Sequence, residues 1–231
     1  MSFDTVLFDL DGTLVDTAPE IADAVNDTLR RRGLPAADDD TVRAWIGDGA
    51  RALLGKALRA AGVPEGRLAA EVEAAWPGFS LDYGERCGTR GACFPGVIEA
   101  LTALQAAGVR LAVITNKESA FAHRVIARRG LSPFFELIVA GDTLARRKPH
   151  ADGVHHALAA LQGRAARTLL VGDSATDVRT ARAAGITVWT VPFGYHHGGL
   201  QGEDTPDRRL EGFHGLAAAV TAARPRAIAI A

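Results

Sequence analysis

The sequence predicts an α/β fold: a doubly wound parallel five-stranded sheet with an all-helical cap inserted after its first strand. Three observations carry this. Five short runs rich in Val, Ile and Leu show little polar–apolar alternation, as strands covered on both faces do. Segments of helical pattern alternate with the later runs, and several end in glycine just past the last turn. Between about residues 15 and 93 the alternation lapses, leaving helical patterns with no convincing strand.

Taken in order, the first strand covers residues 5–8. Thr17-Ala18-Pro19-Glu20 then opens a helix with proline in its first turn. Ile21, Val25 and Leu29 mark one face of it, and Gly33-Leu34-Pro35 closes it. Further helices are expected over 40–46, 51–61 and 67–75, and the chain returns to the core near Phe94-Pro95-Gly96. The core is thus assigned to 1–14 and 94–231, and the cap to 15–93. In the core, strands are expected at 110–114, 137–139, 168–171 and 187–191. Helices 98–107, 120–129 and 177–184 stop at Gly108, Gly130 and Gly185. The Ala/Arg-rich stretch after Leu216 reads as one last helix.

Composition narrows the function classes. The chain has 231 residues, 48% of them hydrophobic, which suits one core plus a smaller unit. A formal net charge of −1 gives no reason to expect nucleic acid or an anionic membrane as partner. Cys87 and Cys93 form no CxxC pair and read as reduced thiols. No basic stretch followed by an apolar run marks a signal peptide, and no apolar run approaches a membrane span. The expected location is cytoplasmic.

Four polar clusters sit immediately after apolar runs or in the loops beyond them. They are Asp9-Leu10-Asp11-Gly12-Thr13, Thr115-Asn116-Lys117, Arg147-Lys148-Pro149, and Gly172-Asp173-Ser174 with Asp177 one turn on. Open parallel sheets bind ligands outside the carboxyl ends of their strands, so these loops should converge. Four carboxylates brought together need a cation or raised pKa values, because two like charges about 4 Å apart repel by roughly 4 kcal/mol at an effective dielectric near 20. All-oxygen ligands favour a hard ion, and Mg²⁺ also accepts phosphate oxygens. Thr115 adds a hydroxyl donor and Lys148 a positive charge, as phosphoryl transfer requires. Of the paired aspartates, one can attack phosphorus and the other can protonate the leaving group. Asp177 serves equally as a helix cap or as metal support. Ser174 lacks a Gly-x-Ser-x-Gly elbow and reads as a turn residue. His196-His197, in a Gly-rich loop, reads as a solvated or rim element.

The motifs FDLDGTLVDT, VITNK, RRKP and VGDSATD, in this order, resemble the haloacid dehalogenase-like (HAD) phosphohydrolase superfamily over nearly the whole chain. The stretches DLDGTLVDTAPEIADAVN, WIGDGARALL, FPGVIEAL and VPFGYHHGG look most like its phosphoglycolate phosphatases. A departure is Ala151-Asp152-Gly153-Val154, where such chains often continue with a proline-rich stretch. The resemblance implies a Rossmann-like core under a helical cap. It further implies Mg²⁺-dependent hydrolysis of 2-phosphoglycolate to glycolate and phosphate, through an aspartyl-phosphate. Asp9 would be the nucleophile and Asp11 the acid/base. Asp9, the Asp11 backbone carbonyl and Asp173 would bind Mg²⁺, with Asp177 assisting. Thr115, Asn116 and Lys148 would hold phosphate.

The partner is then a small phosphorylated metabolite, and the chain a monomer or homodimer. A carboxylate end on the substrate would need a donor from the cap, and Arg51 beside Gly47-Asp48-Gly49 is assigned to it. The alternatives are a sugar-phosphate phosphatase or phosphomutase of the same fold, or, more weakly, a phosphonate hydrolase using Lys56, the only cap lysine.

Overall fold

The structure, a computed structural model describing residues 2–195 and 199–222, opens with β1 (Thr5–Phe8) and the two-residue β2 (Val15–Asp16). Four helices follow: α1 (Ala18–Arg31), α2 (Asp39–Trp45), α3 (Ala50–Ala60) and α4 (Glu65–Arg86). Strand β3 (Ala92–Cys93) then pairs antiparallel with β2, so the chain enters and leaves the helical segment side by side. The remainder alternates: α5 (Val97–Ala106), β4 (Arg110–Ile114), α6 (Ser119–Arg128), β5 (Leu137–Val139), α7 (Asp152–Ala160), β6 (Thr168–Gly172), α8 (Ala175–Ala184) and β7 (Thr187–Thr190). The short β8 (Arg208–Arg209) and α9 (Leu216–Thr221) complete it. Among the described residues, no helix is long and apolar enough to cross a membrane.

The main sheet has the order β5-β4-β1-β6-β7-β8, and every pairing in it is parallel. All five expected strands are present. The sixth, β8, is a correction to the five-stranded reading. Its two exposed arginines give no apolar run from which a strand could be inferred. Alternation within the strands packs both faces. Val6 and Phe8 of β1 belong to the core that includes Leu101 of α5, Val125 of α6 and Val220 of α9, whereas Leu7 joins Val154 of α7 and Val178 of α8 in a second core.

A second correction concerns α4. The helix expected to end at residue 75 runs 22 residues, straight through Pro77. Locally, Trp76-Pro77-Gly78 looks like a stop. Packing overrides it: Phe79 and Tyr83 are buried, and Trp76, Phe79 and Tyr83 stack in sequence at 5.9 and 5.6 Å between ring centres. Phe121 of α6 closes this column 4.8 Å from Tyr83.

The return path from the helices is pinned by Glu20, a buried carboxylate on α1. It accepts hydrogen bonds from the backbone N–H groups of Gly88 (2.7 Å), Arg90 (3.2 Å) and Gly91 (3.0 Å). Glu20→Ala should therefore destabilise the fold by several kcal/mol, since each buried donor left unpaired costs about 1–3 kcal/mol. Urea unfolding measures this, and a loss under about 1 kcal/mol would show that water replaces the carboxylate.

Candidate active site

Strand order places the site. The chain runs from the central β1 outward through β4 and β5, then returns to β6 on the other side of β1. The crevice at such a switch point lies beyond the carboxyl ends of β1, β4 and β6. Asp9 follows β1, Thr115 follows β4, and Asp173 follows β6. All three line one cavity of about 60 Å³, several times the space one water needs. Asp11, Asn116, Lys117, Glu118, Lys148 and Tyr195 join them from the core, and Ile21, Gly47, Leu53 and Tyr83 from the helical segment.

The floor of this cavity is a charge cluster. Lys148 is buried, with its Nζ 2.8 Å from Asp9 Oδ1 and 2.7 Å from Asp177 Oδ1. Burial opposes the Lys148 ammonium, but Asp177 and Asp9 outweigh it and hold its pKa above the ordinary lysine value. Asp173 accepts from Thr13 Oγ1 (3.1 Å) and from the Tyr195 N–H (2.6 Å). Burial pushes the Asp9 carboxyl up to about 7 against the pull of Lys148, and pushes Asp173 well above the carboxylate range, with Asp177 adding repulsion to both.

Asp9, Asp173 and Asp177 each offer a carboxylate oxygen, and these oxygens lie within 4.8 Å of one another. With all three ionised, as cation binding requires, the carboxylates outnumber the Lys148 ammonium and leave a local charge near −2. A hard divalent cation fits that donor set and that charge.

Asp177 caps α8 and pairs with Lys148 through one side chain. Its Oδ2 accepts from the backbone N–H of Asp173 (3.2 Å) and Ser174 (3.1 Å) and from Ser174 Oγ (2.8 Å), forming the capping box of α8. Its Oδ1 faces Lys148. Ser174 is spent on that cap, as its reading as a turn residue anticipates.

Asp11 lies on the turn beyond β1. Gly12 makes this turn at φ +80°, and a Cβ there would stand 2.7 Å from Asp173 Oδ2. Asp11 Oδ1 accepts from Thr17 Oγ1 (2.6 Å), and its carboxylate pairs with Lys117 Nζ at 2.8 and 3.1 Å. Lys117 also donates to the Tyr83 hydroxyl of α4. Burial works against this ammonium too, yet Asp11 outweighs it and its pKa stays raised.

The structure does not bring all expected residues to the cavity in the expected way. The Asn116 amide donates to the carbonyls of Gly47 (3.0 Å) and Lys148 (3.1 Å), so its side-chain donors are engaged by protein rather than open to phosphate. Its Oδ1 is buried without a partner. Arg51 is outside the lining. It pairs with Glu73 and stacks over Trp76, 4.1 Å from the ring centre, because α3 turns it toward α4. Lys56 also lies outside, held by Asp48 (2.7 Å) and the Trp45 carbonyl (3.1 Å). His196-His197 falls outside the described residues.

Conversely, Lys117, Tyr83, Glu118 and Tyr195 line the cavity with no role foreseen. Lys117 stood within a motif, and its position next to Thr115-Asn116 was the available signal. Tyr195 stood in the stretch VPFGYHHGG, whereas Tyr83 gave no signal, since its approach depends on tertiary packing.

A family model described as haloacid dehalogenase-like hydrolase matches residues 6–191. A plasmid-borne phosphoglycolate phosphatase of Cupriavidus necator is 42% identical over 95% of this chain and 94% of its own length. The phosphoglycolate phosphatase of Caulobacter vibrioides is also 42% identical, over 83% and 80%. Among solved structures, a predicted phosphoglycolate phosphatase from Haemophilus somnus superposes with a TM-score of 0.88 at 30% identity, covering 96% of this chain and 99% of that one.

The raised carboxyls set a sign for pH. A carboxyl whose folded pKa lies above its unfolded value contributes stability at low pH that is lost as pH rises through the folded pKa. In metal-free buffer, Asp173→Asn should therefore raise Tm at pH 8, and the gain should fade toward pH 4. Asn can still accept from the Tyr195 N–H while its NH₂ turns to the Thr13 hydroxyl. The shift should be about 2–4 °C for each kcal/mol of repulsion relieved. Calorimetry at the two pH values decides it, and an unchanged Tm at pH 8 would contradict the electrostatic account.

Proposed function

The chain belongs to the haloacid dehalogenase-like hydrolases and is a phosphatase, and on that premise we propose that it hydrolyses 2-phosphoglycolate through an aspartyl-phosphate on Asp9 with Mg²⁺. One arrangement carries this reading: Asp9 and Asp11 line the same small cavity as Lys148, Thr115 and Asp173. The names of the relatives favour phosphoglycolate as substrate.

In this mechanism an Asp9 carboxylate oxygen attacks phosphorus while the ester P–O bond breaks, and Asp11 gives its proton to the departing alkoxide. Water then attacks the phosphorus of the aspartyl-phosphate. Asp11 takes a proton from that water, and the Asp9 carboxylate leaves, restoring the enzyme and releasing phosphate. Lys148, fixed between Asp9 and Asp177, holds the attacking carboxylate in place and offsets charge. The Thr115 hydroxyl is available to phosphoryl oxygens as a donor.

Asp9, Asp173 and Asp177, with the Asp11 backbone carbonyl, would hold Mg²⁺. When bound, the ion offsets phosphoryl charge and orients the group for attack. Residues 15–93 act as the cap over the core of 1–14 and 94–231. Ile21, Leu53 and Tyr83 close the cavity from that side and limit what enters.

Asp9→Asn should abolish turnover in a folded protein, and near-normal activity would remove Asp9 as nucleophile. Activity should vanish with a chelator and return with added Mg²⁺; full turnover in metal-free buffer would contradict metal dependence. In a phosphate-release screen over small phosphomonoesters, 2-phosphoglycolate should rank first. A sugar phosphate ranking above it would overturn the substrate while leaving the aspartyl-phosphate chemistry intact. Because Arg51 forms an exposed pair away from the cavity, Arg51→Ala should change KM by no more than about twofold. A selective rise for phosphoglycolate would return Arg51 to the site.

A further inference from the structure

Tyr195 stands on the loop after β7, yet it touches the start of the cap and the floor of the site at once. Its phenol oxygen accepts from the backbone N–H of Thr17 (2.7 Å) and of Ala18 (2.9 Å), and its hydroxyl donates to Asp16 Oδ1 (2.8 Å). The first turn of α1 has no side-chain cap of its own at Thr17, so this phenol, 178 residues away in sequence, satisfies donors that a helix start leaves open. The Tyr195 backbone N–H holds Asp173 Oδ2 at 2.6 Å. The neighbouring Gly194 is pressed so close that a Cβ there would lie 2.1 Å from Asp173 Cβ, so the loop has no slack against the carboxylate.

On the cap side, the Arg43 guanidinium of α2 lies 5.2 Å from the Tyr195 ring centre and pairs with Asp16 at 3.5 Å. The clamped residue Thr17 is the one whose hydroxyl donates to Asp11 Oδ1. The chain of contacts therefore runs from the phenol to the backbone of Thr17, and from the Thr17 hydroxyl to Asp11.

Resting on the phosphatase reading above, we propose that Tyr195 is a positioning residue: its phenol fixes the cap-entry segment Asp16-Thr17-Ala18 so that Thr17 holds the Asp11 carboxyl where the leaving group needs its proton. Tyr195 touches no reacting atom. Its influence passes through Thr17. The phenol can be removed without disturbing Asp173, because the contact to Asp173 is a backbone one.

The leaving group separates this role from a merely structural one. Phosphoryl transfer from 2-phosphoglycolate expels an alkoxide, which needs a proton as the P–O bond breaks. Acetyl phosphate is of similar size but expels a carboxylate, which leaves without one. The quantity to measure is the ratio of kcat/KM for 2-phosphoglycolate to that for acetyl phosphate. It should fall at least about tenfold in Tyr195→Phe, part of the roughly 10²–10⁴-fold that a positioned acid contributes. Asp16→Ala removes the acceptor of the phenol and the partner of Arg43 from a half-exposed position. It should move the ratio the same way by a smaller factor, and it carries the test if Tyr195→Phe does not fold.

Equal losses on both substrates in these variants would reduce Tyr195 to a packing residue and overturn the proposal. Asp11→Asn is the reference. A fall in the ratio for Asp11→Asn without one for Tyr195→Phe rejects the positioning role alone. Equal losses in Asp11→Asn itself would overturn the acid/base reading and this proposal with it.

Discussion

Three buried carboxylates, Asp9, Asp173 and Asp177, lie together, two of them paired with the buried ammonium of Lys148, and much of the molecule follows from keeping them together. Like charges at this spacing repel by several kcal/mol even at an intermediate dielectric. The protein offsets this with Lys148, with backbone donors from the start of α8 to Asp177, and with the Tyr195 N–H and Thr13 hydroxyl to Asp173. Burial, with the repulsion that remains, keeps the Asp9 and Asp173 carboxyls raised. Such residual strain is expected where a site is shaped for a charged ligand rather than for stability.

A second ion pair, Lys117 with Asp11, ties this floor to the helices above it. Lys117 meets Tyr83 of α4, the Asn116 amide meets the Gly47 carbonyl, and Glu118 accepts from the Ala50 N–H at the start of α3. Three consecutive residues after β4 thus reach three different places in the helical segment. Tyr195 makes the fourth such tie, at the start of α1. These contacts are polar and ring the cavity, while apolar residues of the helices join one cluster with those packed on the sheet.

The cavity itself sits where the sheet reverses direction. Because β1 lies between β4 and β6, the loops after all three strands open onto one crevice, and no long connection is needed to bring Asp9, Thr115 and Asp173 together. The remaining members, Lys148 and Tyr195, arrive from loops after the outer strands β5 and β7 and reach inward over the same edge. That geometry explains why residues far apart in sequence line one cavity.

The sequence by itself determined the sheet strands β1, β4, β5, β6 and β7, the helical segment after β1, and the loops on which Asp9, Asp11, Thr115, Lys148, Asp173 and Asp177 stand. The reason is local: buried parallel strands need unbroken apolar runs, and chemistry-bearing residues collect where those runs end. Tertiary structure decided the rest. Helix α4 passes through Pro77 because an aromatic column buries Phe79 and Tyr83, which no window around Trp76-Pro77-Gly78 reveals. Strand β8 exists only because the edge of β7 was free to accept two arginines. Arg51 faces Trp76 and Glu73 instead of the cavity because the direction of a side chain depends on how α3 is rotated against α4. Tyr83 and the side chain of Tyr195 reach the cavity region for the same reason. A motif fixes which residues stand at a strand's end, but only packing fixes which distant side chains lean over them.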